Sequence, residues 1–85
     1  MHVHVIIDET GKVFAVTDSR SVAIGCIRNT WSRDHYMITV IYETHVETKF
    51  QIRNPPKIGE NPNDTLLVTT LRIVQINVLE QPDRL

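Results

Sequence analysis

Residues 36–52 alternate for seventeen positions, and this pattern limits what the chain can fold into more than any other feature. Side chains that alternate with a period of two lie on opposite faces of an extended strand. Strands usually run about 3–10 residues, so the segment predicts a hairpin with an odd-length loop centred near His45. That hairpin would pair Val40 with Phe50 and Ile38 with Ile52. One long bent strand is the alternative, because no Gly or Asn supplies turn chemistry there.

The N-terminal third predicts a second hairpin followed by a helix. Residues 3–7 read as a strand with Val3, Val5 and Ile7 on one face, and residues 13–17 read as its return strand. Between them, Asp8 to Gly11 forms a turn signal, in which glycine accepts a positive φ without steric cost.

The predicted helix covers Ser19 to Asn29, and its last turn falls between Asn29 and Ser32. Thr17 or Asp18 is the predicted N-cap. Its apolar side chains cover an arc of about 200° at 100° per residue. A surface helix needs only about 100°. The helix is therefore expected to contact the sheet and a second surface.

The C-terminal part predicts a loop and a last strand. Residues 54–64 hold three of the four prolines, which indicates a loop. Residues 66–79 are rich in β-branched side chains and predict a strand with a bulge near Ile73 and Val74. A helix capped by Asn63 or Asp64 is the alternative for this segment.

These elements predict one α+β domain over residues 1–85, of order ββαβββ. A mostly antiparallel sheet of four or five strands would carry the one helix on a single face. The expected core is Val5, Ile7, Phe14, Val16, Ala23, Ile27, Trp31, Ile38, Val40, Phe50, Ile52, Leu71 and Ile73.

Composition narrows the class of protein. Nine Lys and Arg against ten Asp and Glu give a net charge of −1, which disfavours binding driven by a nucleic-acid backbone. The single cysteine, Cys26, cannot form an intramolecular disulfide. No apolar run approaches the ~20 residues of a membrane span, and the first residues lack the features of a signal peptide. We therefore expect a cytoplasmic protein that is not bound to a membrane.

Two groups of side chains could carry chemistry. His2 and His4 project to one face of the first strand and could share a metal, but two ligands do not make a site. Glu43, His45 and Glu47 would lie along one strand face as an acid–base or ligand trio. Cys26 falls within the apolar arc of the helix, where a thiol behaves as a small hydrophobe. Because no nucleophile has a neighbouring base in the sequence, we expect no catalytic residue, no metal site and no cofactor. A small metal-binding protein or enzyme that uses these histidines or this trio is one alternative.

Aromatic side chains give a further alternative. Trp31, Tyr36, Tyr42, Phe14 and Phe50 could stack bases if they lay together on the sheet. This would make the chain a single-stranded nucleic-acid-binding protein, although Tyr42 and Phe50 are expected on the core-facing side.

Two segments are expected to contact a partner. On the helix, the contact residues would be Val22, Gly25, Cys26 and Arg28, and in the proline-rich loop they would be Lys57, Ile58 and Glu60. Prolines restrict the shapes of a loop and so lower the entropic cost of recognition. We therefore expect a small non-enzymatic protein-binding module that forms a homo-oligomer.

Residues 3–27, VHVIIDETGKVFAVTDSRSVAIGCI, combine a D-x-x-G-K-V turn with a D-S-x-x-x-A helix entry. This start resembles the strand–turn–strand–helix opening of small accessory proteins encoded by bacteriophages. The resemblance implies a protein that binds a host or phage macromolecule, located in the host cytoplasm. It carries over no functional residue.

Overall fold

The computed structural model describes residues 1–78, in which five strands and one α-helix follow the predicted order ββαβββ. The α+β fold class is confirmed. Two short 3₁₀ turns, Ser32–Asp34 and Pro62–Asp64, complete the described part. The elements are β1 (His2–Asp8), β2 (Val13–Thr17), α1 (Arg20–Trp31), β3 (Met37–Glu43), β4 (Glu47–Arg53) and β5 (Leu67–Asn77).

The strands form one sheet in the order β2-β1-β5-β4-β3, and every neighbouring pair is antiparallel. The last strand, β5, lies between the two hairpins and hydrogen-bonds to β1 on one side and to β4 on the other. The predicted 54–64 loop therefore carries the chain from the end of β4 back to the start of β5. Consequently β2 and β3 are the two edge strands.

The first turn forms as predicted, with Asp8 as its organising residue. Asp8 Oδ1 accepts hydrogen bonds from Thr10 Oγ1 at 2.6 Å, from Thr10 N at 2.8 Å and from Lys12 N at 2.9 Å. Gly11 takes a φ of 90°, which only glycine adopts without strain. The hydrogen bond from the Thr10 hydroxyl is the main reason why the pKa of Asp8 is lowered from its ordinary value.

The helix begins later than predicted because Thr17 still belongs to β2. Ser19 is the N-cap, with extended backbone, and its Oγ accepts a hydrogen bond from Val22 N at 3.1 Å. The prediction of Thr17 or Asp18 as cap is wrong. The Thr17 hydroxyl instead donates to Ser19 O at 2.7 Å, which holds the junction between β2 and α1.

The core lies between α1 and one face of the sheet. Its buried members are Ile6, Ala23, Ile27, Phe50, Ile52, Leu71 and Ile73. Six of these were predicted, and Ile6 was missed. Trp31 and Ile38, also predicted, are partly buried against the core.

The prediction that Val3, Val5 and Ile7 share one face of β1 is confirmed, and Val5 is buried as predicted, but α1 covers the other face. Ile6 pairs with Ile73 on β5 and with Ala15 on β2, so the core-facing side of β1 carries Ile6. Neighbouring residues of a strand point to opposite faces, so Val5 and Ile7 lie on the side away from α1. Val16, the partner of Val5, follows it to that side.

Two predicted core residues lie at the edges of the sheet. Phe14 is the extra residue of a bulge, because Ile6 pairs with Ala15 while Ile7 pairs with Val13, and its side chain is half exposed. Val40, on edge strand β3, is equally exposed. An edge position has a neighbouring strand on one side only, which explains this exposure.

Residues 36–52 form the predicted hairpin, and the single long strand is excluded. The pairs Ile38–Ile52 and Val40–Phe50 are confirmed. Thr44 supplies the turn chemistry, since its Oγ1 accepts hydrogen bonds from Glu47 N at 3.1 Å and Val46 N at 3.3 Å.

A bulge at Ile41 breaks the predicted alternation of β3. Beyond the bulge, Tyr42 pairs with Lys49, one position away from Phe50 on β4. Tyr42 and Phe50 therefore lie on opposite faces of the sheet, and the prediction that they share the core face is wrong.

The predicted last strand forms as β5, and the alternative helix for residues 66–79 is wrong. Leu79, the last residue of the predicted strand, lies outside the described residues. The bulge predicted near Ile73 and Val74 is wrong, since both pair without interruption with β1 and β4. The bulge lies at Val68, because Ile52 pairs with Thr69 while Arg53 pairs with Leu67. Ile73 and Val74 are both apolar for another reason, which is that β5 presents apolar side chains to both faces of the sheet.

Truncation of the core should destabilise the protein strongly. Phe50 is 1% exposed, so Phe50→Ala removes a fully buried ring and should lower the free energy of unfolding by about 3–5 kcal/mol. Phe14→Ala is the matched control, because it deletes the same ring from a half-exposed edge position and should cost about 1 kcal/mol or less. Urea denaturation measures both values, and equal losses would contradict the described core.

The Asp8 turn should make stability depend on pH. The pKa of Asp8 is lowered in the folded state, so its carboxylate stabilises the fold above the unfolded-state pKa of about 3.9. That contribution is lost as the pH falls through the lower folded-state pKa. In thermal denaturation, Asp8→Asn should therefore lower Tm at pH 7, and the difference from wild type should disappear near pH 2. Glu9→Gln, at an exposed position of the same turn, is the control; a Tm difference for Asp8→Asn that is constant with pH would contradict the argument.

Candidate functional site

The face of the sheet away from α1 carries a contiguous group of aliphatic side chains, which we call the aliphatic patch. Direct partners in an antiparallel sheet share a face, and β1 pairs Val3 with Ile76, Val5 with Val74 and Val16, and Ile7 with Val13. The patch consists of Val3, Val5, Ile7, Val13, Val16, Val74 and Ile76.

The patch has a shielded centre and an exposed surround. Val5 is only 8% exposed because the neighbouring patch side chains enclose it, whereas Val13 is 53%, Val16 58% and Ile76 43% exposed. Among the described residues, no helix or strand covers this face, since α1 packs against the other one. Contiguous apolar surface of this kind on a small domain marks an interaction site more often than an isolated exposed valine does.

Charged side chains border the patch along β4 and at the Ile7 end of β1. On β4, Glu47 and Lys49 share the open face, and Arg72 on β5 pairs with Lys49 and Ile7. Arg72 Nη1 lies 2.9 Å from Glu47 Oε2, so the guanidinium is turned towards β4 and away from β1. The open face is therefore divided into an apolar part on β2, β1 and the end of β5, and a charged part on β4 and at Arg72 of β5.

The predicted contact residues lie on two elements. Val22 is 55% exposed, and Gly25 and Arg28 are exposed with it on the outer side of α1, while Cys26 is half-buried against the core.

The other predicted contacts lie in the proline-rich loop. Lys57, Ile58 and Glu60 form a tight exposed turn in which Glu60 N donates to Lys57 O at 2.9 Å and Lys57 N donates to Glu60 Oε1 at 3.0 Å. Gly59 closes this turn with a φ of 84°. Ile58 is fully exposed at its tip.

A groove of about 200 Å³ lies between α1 and edge strand β2. Cys26 lines it together with Phe14, Thr30 and Trp31, above the core residues Ile6 and Leu71. The Trp31 ring meets the Tyr36 ring edge-to-face, with centroids 5.6 Å apart, which fixes one end of the groove. This groove accounts for part of the wide apolar arc of the helix.

The two histidines of β1 have different surroundings. His2 Nδ1 lies 3.1 Å from Gln75 Nε2 in an exposed position, whereas His4 Nδ1 is buried and has no hydrogen-bond partner among the described residues. Within residues 1–78, no three His, Cys, Asp or Glu side chains are grouped closely enough to hold a metal ion.

The predicted trio of Glu43, His45 and Glu47 does not share a strand face. The turn of the β3–β4 hairpin separates its members: Glu43 pairs with Thr48 on the side of α1, and Glu47 pairs with Val74 on the open side. Each carboxylate approaches a different arginine, Glu43 at 3.8 Å from Arg20 and Glu47 at 2.9 Å from Arg72. His45 is exposed in the turn between them.

The aromatic side chains are distributed over the molecule. Phe50 is buried in the core, Trp31 and Tyr36 pack against it, and Phe14 lines the groove. Tyr42 lies on the open face, half exposed, at edge strand β3. Phe14 and Trp31 line one groove with Tyr36 against Trp31, but the structure does not bring all five rings together on one surface.

Sequence reasoning missed the patch as a surface, although the signal was present. Val5, Ile6 and Ile7 are three consecutive apolar residues in β1. In β5, Leu71, Ile73 and Val74 form a similar run that only Arg72 interrupts. Such runs are typical of strands with apolar side chains on both faces. With one helix to cover two apolar faces, one face remains open.

Within the described residues, the longest helix has twelve residues, and none is long and apolar enough to cross a membrane. No family model matches the chain, and no match to a curated protein or a solved structure is found. The resemblance of residues 3–27 to phage accessory proteins therefore stays a prediction.

Proposed function

We propose that this chain is a small non-enzymatic protein-binding module whose contact surface is the aliphatic patch. The observation that carries the proposal is the exposure of patch valines and isoleucines on three adjacent strands, while α1 covers the opposite face of the sheet. Burying the exposed half of one such side chain contributes about 1 kcal/mol. Several of them together offset part of the cost of association.

Three arginines link neighbouring elements of the fold through their side chains. Arg20 Nη2 donates to Thr44 O at 3.0 Å and so links the start of α1 to the β3–β4 turn. Arg53 Nη1 donates to Thr65 O at 2.7 Å and closes the long loop onto β4. Arg72 joins β5 to β4 through Glu47. These contacts stiffen the sheet that presents the patch.

The edges of the sheet are less suited to binding than its face. Edge strand β2 has a bulge at Phe14, and edge strand β3 has one at Ile41. A bulge interrupts the row of free backbone groups that strand addition requires, and natural proteins blunt their edges in this way. The face is therefore the surface on which a partner can pack without such interruption.

Photo-crosslinking in the native cells tests the proposal. The amino acid p-benzoylphenylalanine is placed at Val16 in the patch, and in separate variants at Val22 on the outer side of α1 and at Ile58 in the loop. Val16 and Val22 are matched in exposure, and Ile58 is fully exposed, so a missing adduct at either control position is not caused by lack of access. We expect a discrete protein adduct from position 16 that mass spectrometry identifies, and little from the other two.

A patch mutation gives the control for that experiment. Adding Val13→Lys to the position-16 variant should abolish the adduct, because a lysine next to the crosslinker disrupts apolar packing. An adduct from position 22 or 58 and none from position 16 would place the contact on the helix or the loop and refute the proposal.

A further inference from the structure

We propose that the partner at the aliphatic patch is a single amphipathic α-helix of about 12 residues, which lies along β1 and carries carboxylates on its flank towards β4. This inference rests on the proposed function and specifies the partner. Three features of the molecule support it: the dimensions of the patch, the position of α1 on the other face of the same strands, and the charges beside the patch.

The patch has the dimensions of one helix. Its outer strands, β2 and β5, lie on either side of β1 and are therefore about 10 Å apart. An α-helix with its side chains is about 10–12 Å wide. Along β1 the patch runs from Val3 to Ile7, a Cα separation of about 14 Å, to which the side chains at both ends add several ångströms. About three helical turns cover this length.

Helix α1 shows that a helix of this size covers these strands. It has 12 residues, or about 18 Å, and it contacts β1, β2 and β5 from the other side. Those are the three strands that bear the patch, and β1 and β5 present apolar side chains to both faces. A helix on the open face would place the sheet between two helical layers, which is how sheets with two apolar faces are usually covered.

A larger partner would have to bury charge. A stable interface between two globular surfaces covers about 800 Å² on each of them, whereas the patch offers roughly 200–300 Å² of flat sheet. A contact of the larger size would extend over β4 and remove Glu47 and Lys49 from water, which costs more than the added apolar packing returns. A helix binds through one apolar stripe and leaves both charged side chains at the rim.

The charges along β4 determine which flank of the helix is acidic. Lys49 is the direct partner of Arg72 on the open face, and both side chains are partly exposed beside the patch. Glu47 is occupied by Arg72 at 2.9 Å, and within residues 1–78 no acidic group lies at ion-pair distance from Lys49. A carboxylate on the partner's flank would therefore find an ammonium group that has no partner in its own chain.

The surroundings of these cations also fix the orientation of the helix. A hollow of about 450 Å³ is lined by Lys49, Thr70 and Arg72 from the sheet and by residues of the first turn, among them Asp8 and Glu9. Asp8 is occupied by hydrogen bonds within the turn, whereas Glu9 is exposed. A carboxylate of the partner is thus attracted towards β4 and repelled from the turn, which favours one rotation of the helix about its axis.

Selection from a peptide library tests which kind of partner the patch binds. A displayed library of random peptides of about 16 residues is selected on the purified full chain, after depletion on Val16→Lys, whose ammonium group disrupts the patch. We expect the enriched peptides to have apolar residues at the i, i+3, i+4 and i+7 spacing of one helix face, with Asp or Glu along one border of that face. Circular dichroism first checks that Val16→Lys is folded, and Ile76→Lys replaces it where it is not.

NMR titration of the wild type with the most enriched peptide locates the contact. Because the patch is small, we expect a dissociation constant of about 10–100 µM. Amide shifts should change in β1, β2 and the end of β5, and those of α1 should remain unchanged. Val22→Lys on the outer side of α1 should bind the peptide as the wild type does, since Val22 is matched to Val16 in exposure at 55% against 58%.

A charge reversal tests the acidic flank. Lys49→Glu should weaken binding of the selected peptide about five-fold, because attraction at the rim becomes repulsion. A second peptide, in which lysines replace the flank acids, should instead bind Lys49→Glu more tightly than the wild type. Lys57→Glu makes the same change of charge in the exposed proline-rich loop and should leave both affinities unchanged. Added salt should reduce the difference between the two peptides.

Other results would overturn the inference. Enriched peptides with period-two alternation, or no enrichment over Val16→Lys, would refute a helical partner. Equal effects of Lys49→Glu and Lys57→Glu would refute the acidic flank. Sedimentation that shows a dimer of the free chain, lost in Val16→Lys, would assign the patch to a second copy instead.

The inference and the proposed function can fail separately. A protein crosslinked to position 16 in the native cells would still support the patch as a binding surface if the segment it contributes is not a helix. Crosslinking at position 22 or 58 and none at position 16 would refute the proposed function whatever the peptide selection gives.

Discussion

The fold depends on the insertion of β5 between the two hairpins. Ile73 is the residue at which this is most evident, because it pairs with Ile6 on one side and with Thr48 on the other, while its side chain packs in the core. A two-stranded hairpin is marginally stable in water by itself. Strand β5 turns two such hairpins into one sheet, and only then does α1 have a continuous apolar surface to pack against.

The local parts of this fold could be predicted from the sequence, and the non-local parts could not. The turn at Asp8, strand β2 and the pairs Ile38–Ile52 and Val40–Phe50 depend on residues near one another in the chain. The face of β1 is different, because Val5 and Ile6 are both apolar and either could face the helix. The pairing of Ile6 with Ile73 decides between them, and these two residues are sixty-seven positions apart. The bulge at Ile41 likewise has no signal in β3 alone.

The contact residues predicted on α1 and in the proline-rich loop stay a prediction, and the structure adds a third candidate surface, the aliphatic patch. The wide apolar arc of α1 indicated a second contact surface, and Val22 is indeed exposed. Much of the arc is nevertheless used within the chain, because Cys26 and Trp31 pack against the core and line the groove beside β2. A count of layers is the better guide. One helix covers one face of a sheet, and a stable domain needs at least two packed layers. In a ββαβββ chain whose strands β1 and β5 are apolar on both faces, the face that no second layer covers must lie opposite the helix.

The two faces of the sheet are coupled through their shared backbone. Leu71 and Ile73 pack in the core and so fix β5 from the side of α1. Val74 follows Ile73 on the same strand, so its side chain is held in position on the opposite face. The patch is thus ordered before anything binds to it, which reduces the entropy that association must lose. With bulges at Phe14 and Ile41 interrupting both edges, the sheet can add a layer more readily than it can add a strand. The same backbone that completes the core therefore directs association to the face.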